Sequence, residues 1–363
     1  MVNLLLFFVL TPLGIYIGKS ILKGRNNPGN SQRYPVGTHV VISGGSKGIG
    51  KALALKFAEL GTHVTIIARN TNDLHEARAE IERHRKNTTV QKIRTVSLDL
   101  TKLTFPDSSS SDATSQQQEL LDKILGEHER CDILVNCCGS AIAARFEDTS
   151  QQQFRYMMDV NYFSAVNLTR ILLPVMKARS LANQAAARSN GGRIVFVSSM
   201  CGLMSFFGYS AYSASKFAIV GLAEALNMEV QPFNISVTVS FPPDTNTPGF
   251  EEENKTKPSL TAKISETGNV YSPEEVAAVM MADIRTRKFY STVGIENLLV
   301  LTTMNTFMPT PSYWKALVDI VLAGPLKLVG FIIVRSWYKL VEAAAPNEMI
   351  KAEVASKCTK SVK

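Results

Sequence analysis

The chain has 363 residues, 45% of them hydrophobic and 19% charged, with a formal net charge of +8. That length fits one large domain with appendages or two small ones, and the apolar surplus excludes a disordered chain. The basic residues are scattered and form no block interleaved with aromatics, which argues against nucleic acid as a partner; an anionic lipid surface accounts for the sign more economically.

The chain opens with an uncharged run, residues 2–18, followed by Lys19, Lys23 and Arg25. The run is at the short end of what crosses a bilayer, and it lacks both the basic residues that precede a secretory signal and the small-residue site that ends one. Residues 1–19 are therefore expected to form a membrane anchor and residues 20–35 a polar linker. Positive charges after the anchor place everything beyond it in the cytosol. Pro12 and Gly14 weaken such a helix, but membrane helices tolerate them.

From residue 36 short β-branched runs alternate with helix-length stretches. Residues 39–43, 63–68, 94–98, 132–136, 193–198 and 235–241 read as strands, and the amphipathic run 51–60 reads as a helix. Strands separated by helices imply a parallel sheet covered on both faces: an α/β, Rossmann-type doubly wound fold, with one catalytic domain over residues 36–300. Residues 106–118 and 180–192 look like surface insertions, either loops or helix extensions. The five cysteines (Cys131, Cys137, Cys138, Cys201, Cys358) are odd in number and lack metal-ligand spacing, which fits a reducing compartment and no metal.

Residues 301–345 are largely apolar, but Asp319 and Lys327 are costly at a bilayer centre and Gly324-Pro325 interrupts the run. An interfacial or hairpin segment, or an amphipathic helix packed on the domain, is expected there in preference to a clean span. Residues 346–363 read as a basic, flexible tail.

Three features carry chemistry. Ser43-Gly44-Gly45-Ser46-Lys47-Gly48-Ile49-Gly50 follows a strand and precedes a helix, where glycines let backbone approach a pyrophosphate and the helix N-terminus stabilises its charge. The second strand ends in Ala68-Arg69-Asn70 with no carboxylate, so Arg69 and Lys47 favour a 2′-phosphate and hence NADPH; Asp99, with Leu100 beside it, is the candidate for the adenine edge. Tyr212 and Lys216 are four apart and share one helix face, although about half of chains this rich in both would show such a pair by chance. Ser199, thirteen residues upstream at a strand end, is what gives the pair meaning.

The ordered set resembles the short-chain dehydrogenase/reductase family: the glycine loop, Asn136-Cys137-Cys138-Gly139, Asn161, Ser199, Tyr212 and Lys216. Ser43 stands where members commonly carry Thr, Cys138 where they carry Ala, and Pro243 where many carry Gly. The resemblance implies reduction of a carbonyl with NADPH, in which Tyr212 gives the proton, Ser199 orients the carbonyl oxygen, Lys216 lowers the phenol's pKa and holds the nicotinamide ribose, and Asn161 positions a water. It implies cofactor contacts at Gly44, Ser46, Lys47, Gly48, Ile49, Gly50, Arg69, Asp99, Leu100, Asn136, Tyr212, Lys216, Pro242 and Thr247, the last toward the carboxamide. Residues 196–199, 211–219 and 242–258 resemble members of the family that reduce a long-chain keto base, 3-ketosphinganine, at the endoplasmic reticulum membrane. A membrane-bound steroid or retinoid oxidoreductase and a catalytically silent nucleotide-binding scaffold are the alternatives. Family members often associate into homo-oligomers.

Overall fold

The computed structural model describes residues 34, 37–103, 111–185, 191–266, 268–304 and 313–360. The anchor expected at residues 1–19, and all of the linker except Tyr34, lie outside the described residues.

Among the described residues, seven parallel strands form one sheet in the order β3-β2-β1-β4-β5-β6-β7. They are β1 (His39–Ser43), β2 (His63–Ala68), β3 (Ile93–Ser97), β4 (Ile133–Asn136), β5 (Arg193–Val197), β6 (Ser236–Phe241) and β7 (Tyr290–Thr292). The six runs read as strands in the sequence are β1 to β6, with ends displaced by at most one residue. β7 has three residues and no apolar run of its own, so only its pairing with β6 defines it.

The strands are buried on both faces because side chains alternate. Val41, Ile67, Val96, Leu134 and Phe196 point to one face and enter a single core with helices α3 (Ser111–Leu125), α5 (Ser164–Ala185) and α6 (Ser210–Val230). The opposite face is covered by α1 (Gly48–Glu59), which packs against α9 (Pro273–Arg285) and buries Leu53, Ala54, Phe57 and Ala58 at helical spacing. Each fully buried Leu or Phe side chain contributes about 1.5–3 kcal/mol. α9 starts where chemistry dictates: Ser272 and Glu275 form a reciprocal capping box and Pro273 occupies the first turn. α2 (Thr71–Arg83) connects β2 to β3.

The chain runs outward from β1 to β2 and β3, then returns to place β4 on the other side of β1. In doubly wound sheets the crevice at this reversal, beyond the carboxyl ends of the strands, is where ligands bind.

The two insertions are largely helical where described. α3 begins at Ser111 within the Ser/Gln tract, and α5 continues to Ala185. Near the C-terminus, α10 (Ile295–Met304) is followed by a long helix, α11 (Tyr313–Lys360), which packs against α10 and α8 (Ser259–Ser265). α11 passes straight through Gly324-Pro325, so that pair makes no hairpin. It also runs past residue 346 to Lys360: the Ala-, Glu- and Lys-rich stretch expected to be a flexible tail has helix-forming composition.

At the amino ends of the strands lies a trio of imidazoles. His39 is fully buried, with Nδ1 2.6 Å from the Arg130 carbonyl and Nε2 2.8 Å from Thr65 Oγ1. Its ring lies 4.5 Å from that of His128, which is 4.2 Å from that of His63. Burial pushes His39 down to about 3, against the hydrogen bond to Arg130, and the neighbouring His128 and His63 push the same way. In the unfolded chain an ordinary imidazole takes up a proton near pH ~6.5 that the folded chain refuses. The unfolded state therefore binds more protons across that window, and stability falls as pH drops below about 6.5, by roughly 1.4 kcal/mol per pH unit for His39 alone. Urea unfolding is expected to show its midpoint falling steadily from pH ~7 to ~5; a flat midpoint would contradict the assignment.

Candidate active site

The site is built at the β1–β4 reversal. Ser43, the last residue of β1, accepts hydrogen bonds from the amides of Cys137 (3.1 Å) and Cys138 (3.2 Å), tying the exits of the two strands together. Gly44 follows with φ +66°, and a Cβ there would stand 2.8 Å from the Cys137 carbonyl oxygen. At Gly50 a Cβ would meet the Gly44 carbonyl oxygen at 2.2 Å. Only glycine fits either place, so the loop folds back tightly and α1 starts close to the crevice. Lys47, the residue before α1, has extended backbone and supplies no side-chain cap. The first amides of α1 are thus left for an anion, and these residues fit the pyrophosphate of a dinucleotide.

A cleft of about 1520 Å³ opens over this loop and extends across Ser199, Tyr212 and Lys216 to α11. Sites for one small molecule are commonly ~300–1,000 Å³, so the cleft has room for a dinucleotide and a further ligand. Of the sequence-derived contacts, Gly44, Ser46, Lys47, Gly48, Ile49, Gly50, Arg69, Asp99, Leu100, Ser199, Tyr212, Lys216, Pro242 and Thr247 line it.

Asn136 and Asn161 do not line it. Asn136 is buried and donates to Thr169 Oγ1 on α5 (3.1 Å), which turns its amide away from the crevice. Asn161 sits in a π-type turn, residues Asp159–Phe163, between α4 (Gln151–Met158) and α5. Its amide nitrogen donates to the Ser140 carbonyl (3.0 Å) and to Ser215 Oγ (2.9 Å), and its oxygen accepts from the Ser140 amide (2.9 Å). Extra-residue turns of this kind concentrate at functional sites; here the turn braces the loop behind Lys216. Gly139 lies between the two, where a Cβ would stand 2.9 Å from Asn161 Oδ1 and 3.3 Å from Lys216 Nζ.

At the adenosine end, Asn70 caps α2 by accepting from the amides of Asn72 (2.9 Å) and Asp73 (3.3 Å). The first turn of α2 thereby brings Asp73 into the cleft, where it pairs with Lys47 at 2.8 Å. The strand end itself carries no carboxylate; Asp73 reaches the cleft from the helix that follows. Lys47 is therefore already countered by an anion, and Arg69 is the rim cation that makes no ion pair among the described residues. Asp99 accepts from the Thr101 amide (3.1 Å) and hydroxyl (2.7 Å). Burial pushes its carboxyl up, but those bonds and the charges of Arg69 and Lys102 outweigh it and leave the group below its ordinary value.

At the other end, Ser199 follows β5 and its hydroxyl accepts from the Cys201 amide (3.2 Å). Tyr212 and Lys216 project from consecutive turns of α6. Lys216 is buried, donates to the Val197 carbonyl (3.1 Å) and lies 5.7 Å from the Tyr212 ring centre. Desolvation lowers its ammonium to about 8. The Tyr212 phenol moves the other way. Burial pushes it up, with further increments from Cys201, Glu253 and Asp244, against a hydrogen bond with Ser199. In the free site, desolvation of a buried phenolate outweighs the hydrogen bond with Ser199 and leaves the phenol above its ordinary value. Tyr212 is held as a neutral acid.

Tyr209, Asp244 and Glu253 belong to the cleft although no local pattern in the sequence marks them. Tyr209, with its ring 5.7 Å from that of Tyr212, hydrogen-bonds Glu253 of α7 (Pro248–Thr256), and Glu253 pairs with Lys257 at 3.0 Å. Asp244 faces the same space, and burial raises its carboxyl despite the nearby Lys257. Thr247 caps α7 by accepting from the Phe250 amide (3.1 Å). The segment 248–265 holds α7 and α8. Cys137, Cys138 and Cys201 are free thiols lining the cleft, and burial pushes Cys137 and Cys201 up to about 12.

Comparison with known proteins gives the same picture. The short chain dehydrogenase family model matches residues 38–258. The chain is 39% identical over 305 residues to 3-dehydrosphinganine reductase of Danio rerio, and 38% identical over 305 residues to 3-ketodihydrosphingosine reductase of Bos taurus; each match covers 84% of this chain and 86% of the relative. Among solved structures, a short-chain dehydrogenase from Streptomyces avermitilis superposes with a TM-score of 0.57 at 25% identity, covering 73% of this chain and 92% of that one.

Lys216 carries its charge below about 8 and loses it above. If that ammonium holds the dinucleotide, kcat/KM for the dinucleotide falls as pH rises through that value, and initial rates between pH ~6 and ~10 will show the descending limb. A profile level across this range would remove Lys216 from dinucleotide binding.

Proposed function

This chain belongs to the short-chain dehydrogenase family, and on that premise we propose that it reduces the 3-keto group of 3-ketosphinganine to sphinganine with NADPH. The supporting observation is that both sphingoid-ketone reductases named above match 84% of the chain, a span that includes the Ser199–Tyr212–Lys216 site. An oxidoreductase of this family needs an acid beside the carbonyl, and burial keeps Tyr212 in its acid form.

The glycine loop and the open amides of α1 would hold the pyrophosphate, Asp99 and Leu100 the adenine, Lys216 the nicotinamide ribose and Thr247 the carboxamide. Bound there, the reduced dinucleotide supplies the hydride. Ser199 Oγ orients the substrate oxygen and Tyr212 Oη protonates it. Asn161 acts one layer behind, fixing Ser140 and Ser215 beside Lys216. Arg69 takes the 2′-phosphate of NADPH, while Lys47 offsets the charge of Asp73. The activity would then sit on the cytosolic face of the endoplasmic reticulum membrane, a reading supported by the basic residues that follow the expected anchor at residues 1–19.

Purified protein assayed with NADPH against 3-ketosphinganine, a ketosteroid and retinal is expected to turn over the keto base; turnover of the steroid or retinal alone would sink this reading. Tyr212→Phe is expected to lower kcat by about 10²–10⁴ while NADPH still binds, as measured by cofactor fluorescence. Arg69→Ala is expected to raise KM for NADPH roughly tenfold and to leave KM for NADH nearly unchanged; equal effects on both would reject the phosphate contact.

A further inference from the structure

The catalytic cleft does not end at the family's core. Its far side is formed by α11, whose Leu326, Gly330, Val334 and Trp337 line the same space as Ser199 and Tyr212. The spacing of these four residues puts them on one helical stripe. The stripe is tied to the catalytic region: the Trp337 ring meets Phe206 edge-on at 5.2 Å, and Phe206 belongs to the apolar segment between Ser199 and Tyr212.

The rest of α11 is dressed for a different neighbour. Residues Ile320–Ala343 are long and apolar enough to cross a membrane, and only 6% of that stretch is buried against protein. At 1.5 Å per residue it is about as long as the ~30 Å hydrocarbon layer is thick. Val321, Leu328 and Ile332, on the face opposite the stripe, are 64%, 59% and 51% exposed. From Ile320 to Val334 the one charge is Lys327, and it lines the cleft. Arg335 and Lys339 lie in the C-terminal half of this stretch, where cations suit a headgroup layer. Water-facing surfaces rarely carry so continuous an apolar face, whereas lipid favours one.

We propose that α11 is the partition between bilayer and active site: its outer face is immersed in lipid, and its inner stripe receives the alkyl chain of the keto base, which slides from the bilayer to Tyr212 without being drawn through water. The proposal rests on the keto-base reading above. Gly330 is the floor of this groove. A Cβ added there meets nothing within 4 Å, so α11 presents open space at this point of the cleft wall.

The full chain, reconstituted in phosphatidylcholine vesicles, is assayed with 3-ketosphinganine and with a short-chain, water-soluble keto-base analogue. Gly330→Phe is expected to raise KM for the long-chain substrate about tenfold more than for the short one, the signature of lost chain binding. Equal changes for both, or none, would overturn the groove. If the parent enzyme reduces neither keto base, the keto-base reading fails instead, and immersion is still decided separately. For that, Leu328→Trp is made in a Trp314→Phe, Trp337→Phe background, and its fluorescence is read in vesicles of phosphatidylcholine brominated along the acyl chains. Quenching is expected; an unquenched tryptophan would overturn the immersion of α11.

Discussion

The site depends on how closely β1 and β4 approach where they leave the sheet. Ser43 binds two successive amides at the end of β4, and the glycines after it let the backbone turn within contact distance of Cys137. This one junction opens the crevice, aims the uncapped start of α1 into it and sets the level at which β5 delivers Ser199. A side chain at Gly44 or Gly50 would push these parts out of register at once, since each would collide with backbone rather than with a movable side chain. The sheet topology makes a crevice available; this contact makes it narrow enough to grip a nucleotide.

Desolvation then decides the protonation states. The burial that raises the Tyr212 phenol also lowers the Lys216 ammonium, and each change opposes the charge of its own group. A neutral phenol beside a cation that is easily discharged is a poor starting point for oxidising an alcohol and a good one for protonating an alkoxide as it forms. The carboxylates of Glu253 and Asp244 push Tyr212 the same way. The protonation state of the free site is thus set by its surroundings as well as by Ser199, Tyr212 and Lys216.

Much of this was legible in the amino-acid sequence, and the reasons differ by residue. The glycine loop and the Tyr212–Lys216 pair are local patterns fixed by a turn and by helical spacing, so a few residues suffice to see them. The strands β1 to β6 announce themselves as β-branched runs, whereas β7 exists only through its neighbour. Asp73 was hidden because it reaches the cleft from the first turn of a helix, not from the strand end where a carboxylate is sought. Asn136 and Asn161 have the right identities, but their amides are engaged by Thr169, Ser140 and Ser215, partners that only folding supplies. The burial around the phenol is hidden for the same reason: the neighbouring lysine is visible in the sequence, the surrounding dryness is not. The run at 301–345 admits several placements by sequence alone because apolar residues occur both where α11 lines the cleft and on its exposed face.

The cysteines of the cleft carry a consequence of their own. Thiolate is the reactive form of sulfur, and the burial that raises Cys137 and Cys201 to about 12 leaves almost none of it at neutral pH. Soft electrophiles, such as the unsaturated aldehydes that oxidised membranes release, would enter a chamber walled with sulfur and find little there to alkylate. The dryness that tunes the acid also passivates the walls, and an inhibitor designed to trap this site covalently would need a target other than its thiols.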